Sequence, residues 1–315
     1  MTIKEFLYYI PFVRIFVRRP RAAAKPLKGF KHFAITAVVE SISLLIVYCM
    51  LSPAFAMPLY NQLIFHPISE KDDLTDQIQL ITKYFDCKFT DLRFKAPDGE
   101  TLHGWYFART GSKKTIILSH GNGGCIDQRL ALCPVLLQTG ASVFLYDYEG
   151  FGKSTGSPTL ANICDDGVAA FDYVAKNLRV PTSDIVLYGE SIGAGVTSEV
   201  STKRTPGAII LQSGFTSLAE AGADRVCFLK LYPSWVFPNP QLSNLEIMKH
   251  PHAPLLIIHG KKDDMLTYHY AERIMEAAAE PKQLLLLPKA GHVDIYKTDV
   301  ALTLPALTKF ISTLP

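Results

Sequence analysis

The sequence has 315 residues, of which 48% are hydrophobic and 19% charged, with a net charge of +3. That length supports one large domain with a sizeable core, or two small ones. Eight Lys or Arg residues (Lys4, Arg14, Arg18, Arg19, Arg21, Lys25, Lys28 and Lys31) crowd the first 31 positions, and the rest is slightly acidic. The basic balance therefore describes a leader and argues against a nucleic-acid-binding surface.

In chain order, the basic segment 1–32 comes first. Within it Phe6 to Val17 is apolar and aromatic, fit to lie on a membrane surface, with Pro11 breaking any continuous helix. Phe33 to Leu51 (FAITAVVESISLLIVYCML) then approaches the roughly 20 residues that cross a bilayer. Glu40 lies toward its basic end, where a charge sits near the interface. After the span Lys71 is the only Lys or Arg before residue 80. The positive-inside rule then places 1–32 in the cytoplasm and the remainder across the membrane. The segment 33–57 fits three descriptions: a single-pass anchor, a signal cleaved after Ala54-Phe55-Ala56, or a core helix of a soluble protein. The charge asymmetry favours the anchor. Cleavage would instead give a secreted or periplasmic protein.

Residues 58–315 form the expected catalytic domain. After a connector with a helical stretch near 71–85, Phe89–Phe94 and Leu102–Phe107 read as paired strands about the turn Pro97-Asp98-Gly99. Thr115–Ser119, Ser142–Asp147, Ile185–Gly189, Ala208–Gln212, Leu255–His259 and Gln283–Leu287 are near-continuous apolar runs, the mark of strands covered on both faces. Helical patterns at Asn162–Asn177, Gly193–Lys203 and Tyr268–Ala279 alternate with them. The alternation predicts one open, mostly parallel α/β sheet of about eight strands with helices on both faces. Phe228–Pro240, rich in Pro and aromatics, interrupts the rhythm and predicts a small cap or a packed loop. The six cysteines (49, 87, 125, 133, 164, 227) make no CxxC pair and no zinc-like cluster. They read as buried small apolar residues, with a disulfide open in an oxidising compartment.

Gly189-Glu190-Ser191-Ile192-Gly193 is a G-x-S-x-G sequence between an apolar strand and a helix-compatible run. Its glycines permit the tight turn that presents a serine nucleophile. A base and an orienting acid should follow, at loops leaving later strands. His292, after the last strand, is the expected base. Asp263 is the expected acid, with Asp264 a rival that spacing barely separates from it. His259 is expected to support the Asp263 turn, and His250 and His252 to be structural. For the oxyanion, the backbone N–H of Ile192 and that of Asn122, in the glycine-rich loop 119–124, are the expected donors.

Five segments together carry a resemblance: Leu118–Gly124 (LSHGNGG), Tyr146–Pro158 (YDYEGFGKSTGSP), Gly189–Gly193 (GESIG), His259–Asp263 (HGKKD) and Gly291–Asp294 (GHVD). The sequence resembles the α/β-hydrolase superfamily, and within it the Bem46-like or ABHD13-like serine hydrolases. Asn61–Pro67 is similar to the segment that follows the membrane span there. The resemblance covers about residues 60–312. It implies the α/β-hydrolase fold, makes Asp263 the acid of the H-G-x-x-D pattern, and leaves the Asp147–Ser154 turn outside the triad. Asp264-Met265-Leu266 departs from the usual acidic or small residue followed by two valines, as does the basic extension before residue 32.

The expected chemistry is hydrolysis of an ester, thioester or amide through a Ser191 acyl-enzyme, with no metal or cofactor. A serine nucleophile disfavours dehalogenase and epoxide-hydrolase chemistry, and nothing points to a peptide-terminus pocket. Two alternatives use the same scaffold: a catalytically silent membrane-tethered interaction module, and an acyltransferase. Membrane proximity and the aromatics Tyr232, Trp235 and Phe237 favour a small-molecule or lipid-like acyl substrate.

Overall fold

The structure, a computed structural model, describes residues 30–69 and 73–315. Most of the basic leader and the Phe6–Val17 segment lie outside the described residues. Helix α1 (Phe30–Met50) is apolar over Phe33–Met50, and none of that stretch is buried in the protein. A core helix would have a covered face, so the core-helix expectation is set aside. Membrane anchor and signal sequence are what α1 fits. A turn leads into α2 (Met57–Ile64) and β1 (His66–Pro67). Helix α3 (Thr75–Phe85) turns Ile81 and Phe85 into the core, with Leu74 and Ile78 packed on it. These positions follow the i, i+4, i+7 spacing of one helix face.

Strands β2 (Cys87–Lys95) and β3 (Thr101–Arg109) form the expected hairpin. Next come β4 (Thr115–Ser119), β5 (Gly123–Gly124), α4 (Ile126–Arg129), α5 (Cys133–Gln138), β6 (Ser142–Tyr146) and α6 (Leu160–Lys176). The chain continues through β7 (Ile185–Glu190), α7 (Ile192–Lys203), β8 (Ala208–Gln212), α8 (Leu218–Arg225) and α9 (Asn244–Met248). It closes with β9 (Leu255–Gly260), α10 (His269–Ala277), β10 (Lys282–Leu287), α11 (Ile295–Thr298) and α12 (Val300–Ser312).

The main sheet has 8 strands in the order β10-β9-β8-β7-β4-β6-β3-β2, and only β3 runs antiparallel to its neighbours. Every residue of β4, β6, β7, β8 and β9 is buried. Alternation along each strand divides their side chains between the two faces of the sheet. Ile116 and Leu118 pack with Leu136 and Phe310 on one face, and Ile117 and Phe144 with Phe171 and Val196 on the other. Strand β10 is the exception, because only Leu287 of it is buried. Its apolar run forms an edge strand, not one covered on both faces. The cysteines also divide: Cys125, Cys133 and Cys164 are buried as expected, whereas Cys49 and Cys227 are exposed, and all six are free thiols.

From β4 the chain passes to β6 on one side and then to β7 on the other. The loops leaving β4 and β7 diverge, which opens a crevice at the carboxyl edge of the sheet. The turn after β6 is braced by Asp166 of α6, fully buried, which accepts the Glu149 backbone N–H at 2.9 Å. Burial raises the Asp166 carboxyl to about 8 against the lowering effect of that hydrogen bond, with Glu149, Asp98 and Asp165 adding repulsion. An unfolded Asp titrates near ~3.9. Between these values the folded state holds a proton that the unfolded state has lost. The stability this contributes is full below the unfolded value and is lost as pH rises through the folded one. Melting temperature is therefore expected to fall as pH rises from about 5 to 8.5. Asp166→Asn should flatten that slope by about 1 kcal/mol or more, roughly 2–4 °C in Tm. Identical slopes in calorimetry of the two proteins would refute the assignment.

Candidate active site

Ser191 sits between β7 and α7 with φ 58° and ψ −118°. A non-glycine residue adopts such angles at a cost, and it does so here because both flanks are fixed. Its N–H donates to Gln212 O at 2.9 Å. A Cβ on Gly193 would lie 2.0 Å from Ser119 O, so the elbow can press against β4 only with glycine there. The turn leaves Ser191 Oγ at the crevice floor, with 8% of the residue exposed.

His292 enters from the loop after β10. Its Nε2 lies 2.9 Å from Ser191 Oγ and its Nδ1 2.7 Å from Asp263 Oδ2. Burial opposes ionisation of Asp263. Hydrogen bonds from His259, from His292 and from the Leu266 N–H outweigh it and hold the carboxyl well below the usual carboxylate range. An ionised carboxylate can only accept, so Nδ1 carries the proton and Nε2 is left to accept from the Ser191 hydroxyl. Asp263 Oδ1 takes the N–H groups of Met265 and Leu266 at 2.9 and 2.8 Å. His259 Nε2 lies 3.1 Å from Asp263 Oδ2, the supporting position expected of it. Asp264 is exposed, and among the described residues only its backbone oxygen is engaged, by Arg225. His252 Nδ1 donates to Ala253 O, a local structural contact.

Ile192 opens α7, where leading N–H groups have no partner inside the helix. Asn122 is fastened from both sides: its Nδ2 donates to Ile64 O at 2.7 Å, and its carbonyl accepts His66 N–H at 2.8 Å. Both residues line one cavity with Ser191 and His292. That cavity holds about 500 Å³ and is walled largely by apolar groups, among them Phe215, Leu218, Phe228 and Phe237. The expected cap consists of two single 3₁₀ turns, Cys227–Leu231 and Ser234–Val236, with Phe228, Leu229 and Phe237 facing the cavity.

Three supports escaped the sequence reading. Ser213 Oγ donates to the His292 carbonyl at 2.5 Å. Asp299 accepts the N–H groups of Lys289 and Ala290, both at 2.8 Å, and so holds the loop that carries His292. Arg129 and Glu190 form an ion pair of 2.7 Å, almost wholly buried, beneath the elbow. Of these only Glu190 stood inside a recognised motif, and its partner lies 61 positions away in the chain. His120 is fully buried and held neutral, its pKa lowered to about 3 by burial and by Arg129, and its Nδ1–H donates to Gly121 O.

An open, mostly parallel sheet with a serine on the turn after a central strand defines the class of α/β hydrolases. Residues 110–250 match the hydrolase family described as serine aminopeptidase, S33. The protein Rv2307c of Mycobacterium tuberculosis is 35% identical over 224 residues, 70% of this chain and 79% of that protein. The lysophosphatidylserine lipase ABHD12 of Mus musculus is 31% identical over 193 residues, 56% of this chain and 48% of that one. The Pyrococcus furiosus esterase Pf2001 shares the fold, with a TM-score of 0.64 and 20% identity over 80% of this chain and 98% of its own. The chain belongs to the α/β-hydrolase superfamily and is a hydrolase.

Proposed function

We propose that Ser191, His292 and Asp263 are a catalytic triad that cleaves an acyl ester, thioester or amide through an acyl-enzyme. The observation that carries this reading is the unbroken hydrogen-bond relay from Ser191 Oγ through His292 to Asp263, on a strained strand-to-helix turn. His292 Nε2 takes the serine proton as Oγ attacks the acyl carbon, and returns it to the leaving group. Asp263 fixes the imidazole tautomer and stabilises the imidazolium. Water then attacks the acyl-enzyme by the same relay in reverse. The N–H groups of Ile192 and Asn122 serve the oxyanion, each donor lowering the barrier by about 2.7–4 kcal/mol.

The apolar cavity supports a lipid-like acyl substrate, since each buried methylene adds about 0.8 kcal/mol. Esterase and lipase activities named for relatives point the same way. The proposed layout is a basic segment at 1–32, a membrane anchor at 33–57 with the N-terminus cytoplasmic, and the catalytic domain at 58–315 on the opposite side. The test is labelling by a fluorophosphonate. The native chain should be labelled, and folded Ser191→Ala and His292→Ala should not be. A native chain that folds and takes no label would move the silent interaction module to first place.

A further inference from the structure

The segment that follows α1, residues 51–67, is packed and is not a loose tether. Ser52 and Pro53 are buried, and Tyr60 Oη donates to Leu51 O at 2.8 Å. Phe65 is inserted in the core edge-to-face with Phe151, and β1 pairs with β5 next to Asn122. Leu51, Pro53, Met57, Leu59, Leu63 and Ile64 all line the cavity that contains Ser191 and His292.

The end of α1 is also clamped to the cap. Tyr48 stacks on Tyr232 with ring centroids 4.5 Å apart. Tyr48 Oη donates to Leu231 O at 2.9 Å, and Tyr232 Oη returns a bond to Tyr48 O at 2.8 Å. Tyrosines belong at the level where a bilayer meets water. In the chain on either side of this clamp, Phe55, Leu231 and Trp235 are exposed by 76%, 68% and 81%. Large apolar side chains exposed just after α1 and in the cap that α1 contacts are fit to meet the same lipid that the unburied helix would.

We propose that residues 51–64 form one wall of the acyl site, so that the mouth of the site opens at the bilayer surface and takes a long acyl chain of a membrane lipid. The inference rests on the triad reading above. It assigns the membrane-proximal segment a part in substrate binding besides tethering: α2 and the cap hold the chain between them, while Asn122, fastened to α2 through Ile64, stays beside the acyl carbon.

Two measurements on the full chain in phosphatidylcholine vesicles test it. The first uses a dodecyl fluorophosphonate with a diazirine midway along its chain. Ser191 Oγ displaces fluoride, and light then fixes the chain to whatever lies beside it. Cross-linked peptides from residues 51–64 are expected. A Ser191 adduct whose cross-links fall only elsewhere would overturn the wall and leave the triad standing. Absence of the Ser191 adduct would remove the triad reading, and this inference with it. The second measurement replaces the lipid by its chain-brominated form. Trp235 emission should be quenched while buried Trp105 is spared, and Trp235→Phe should abolish the quenching. Emission indifferent to bromine would overturn the placement of the mouth.

Discussion

Asp263→Asn is expected to lower kcat for ester hydrolysis by about 10⁴-fold, whereas Asp264→Asn should leave it nearly unchanged. Both substitutions remove one negative charge from adjacent positions, so net charge cannot account for a difference between them. The asymmetry comes from placement. Asp263 Oδ2 lies 2.7 Å from His292 Nδ1, while the Asp264 side chain is exposed. An Asn amide at 263 can turn its NH₂ toward Nδ1, which moves the imidazole proton to Nε2. Nε2 then has no lone pair for the Ser191 hydroxyl, and the serine loses its base. The measurement is kcat on a soluble nitrophenyl ester, with circular dichroism to show that both variants fold. Equal losses at the two positions would sink the assignment of Asp263.

Gly193→Ala should also be damaging, although less so than Asp263→Asn and although no side chain of the relay is touched. The new Cβ would fall 2.0 Å from Ser119 O and 2.7 Å from His120 O, both backbone atoms of β4 and its loop. Backbone cannot swing aside as a long side chain can. Either α7 backs away or the loop carrying Asn122 does. Each movement takes a proposed oxyanion donor, Ile192 N–H or Asn122 N–H, out of line. A loss of about 10²–10³ in kcat is expected from one misplaced donor, together with roughly 1–3 kcal/mol of stability from overpacking. Kinetics and urea unfolding would report the two effects separately. Wild-type kcat in this variant would show that the close approach of α7 to β4 has no part in the reaction.

The order and type of the main elements were legible before any coordinates, because their signals are local. A run such as Ile116–Leu118 or Leu255–Ile258 must be covered on both sides wherever it lies, and alternation with amphipathic helices leaves few sheets that can do so. The G-x-S-x-G turn was legible for a similar reason: its glycines are demanded within a few residues of the serine they serve. The same local rule misread Gln283–Leu287, since an apolar run says nothing of whether a further strand lies beyond it. Cys49 and Cys227 were misread for want of knowing which face of their elements is covered.

What the chain alone supplied, then, was the eight strands of the main sheet and the longer helices among them, though not the 13-residue helix Val300–Ser312, the serine on its elbow, the candidates for acid and base, and an apolar segment fit for a membrane. The choice between Asp263 and Asp264 on physical grounds needed the tertiary structure, because two adjacent carboxylates differ only in which one the turn points at His292. The supports from Ser213 and Asp299, and the buried Arg129–Glu190 pair, are contacts between residues distant in sequence, and no short-range pattern encodes them. So too with the cavity over Ser191: its walls come from residues 51–64, from the cap and from the loop after β9. Each of these segments by itself reads as a connector, and only their meeting over Ser191 turns them into a site.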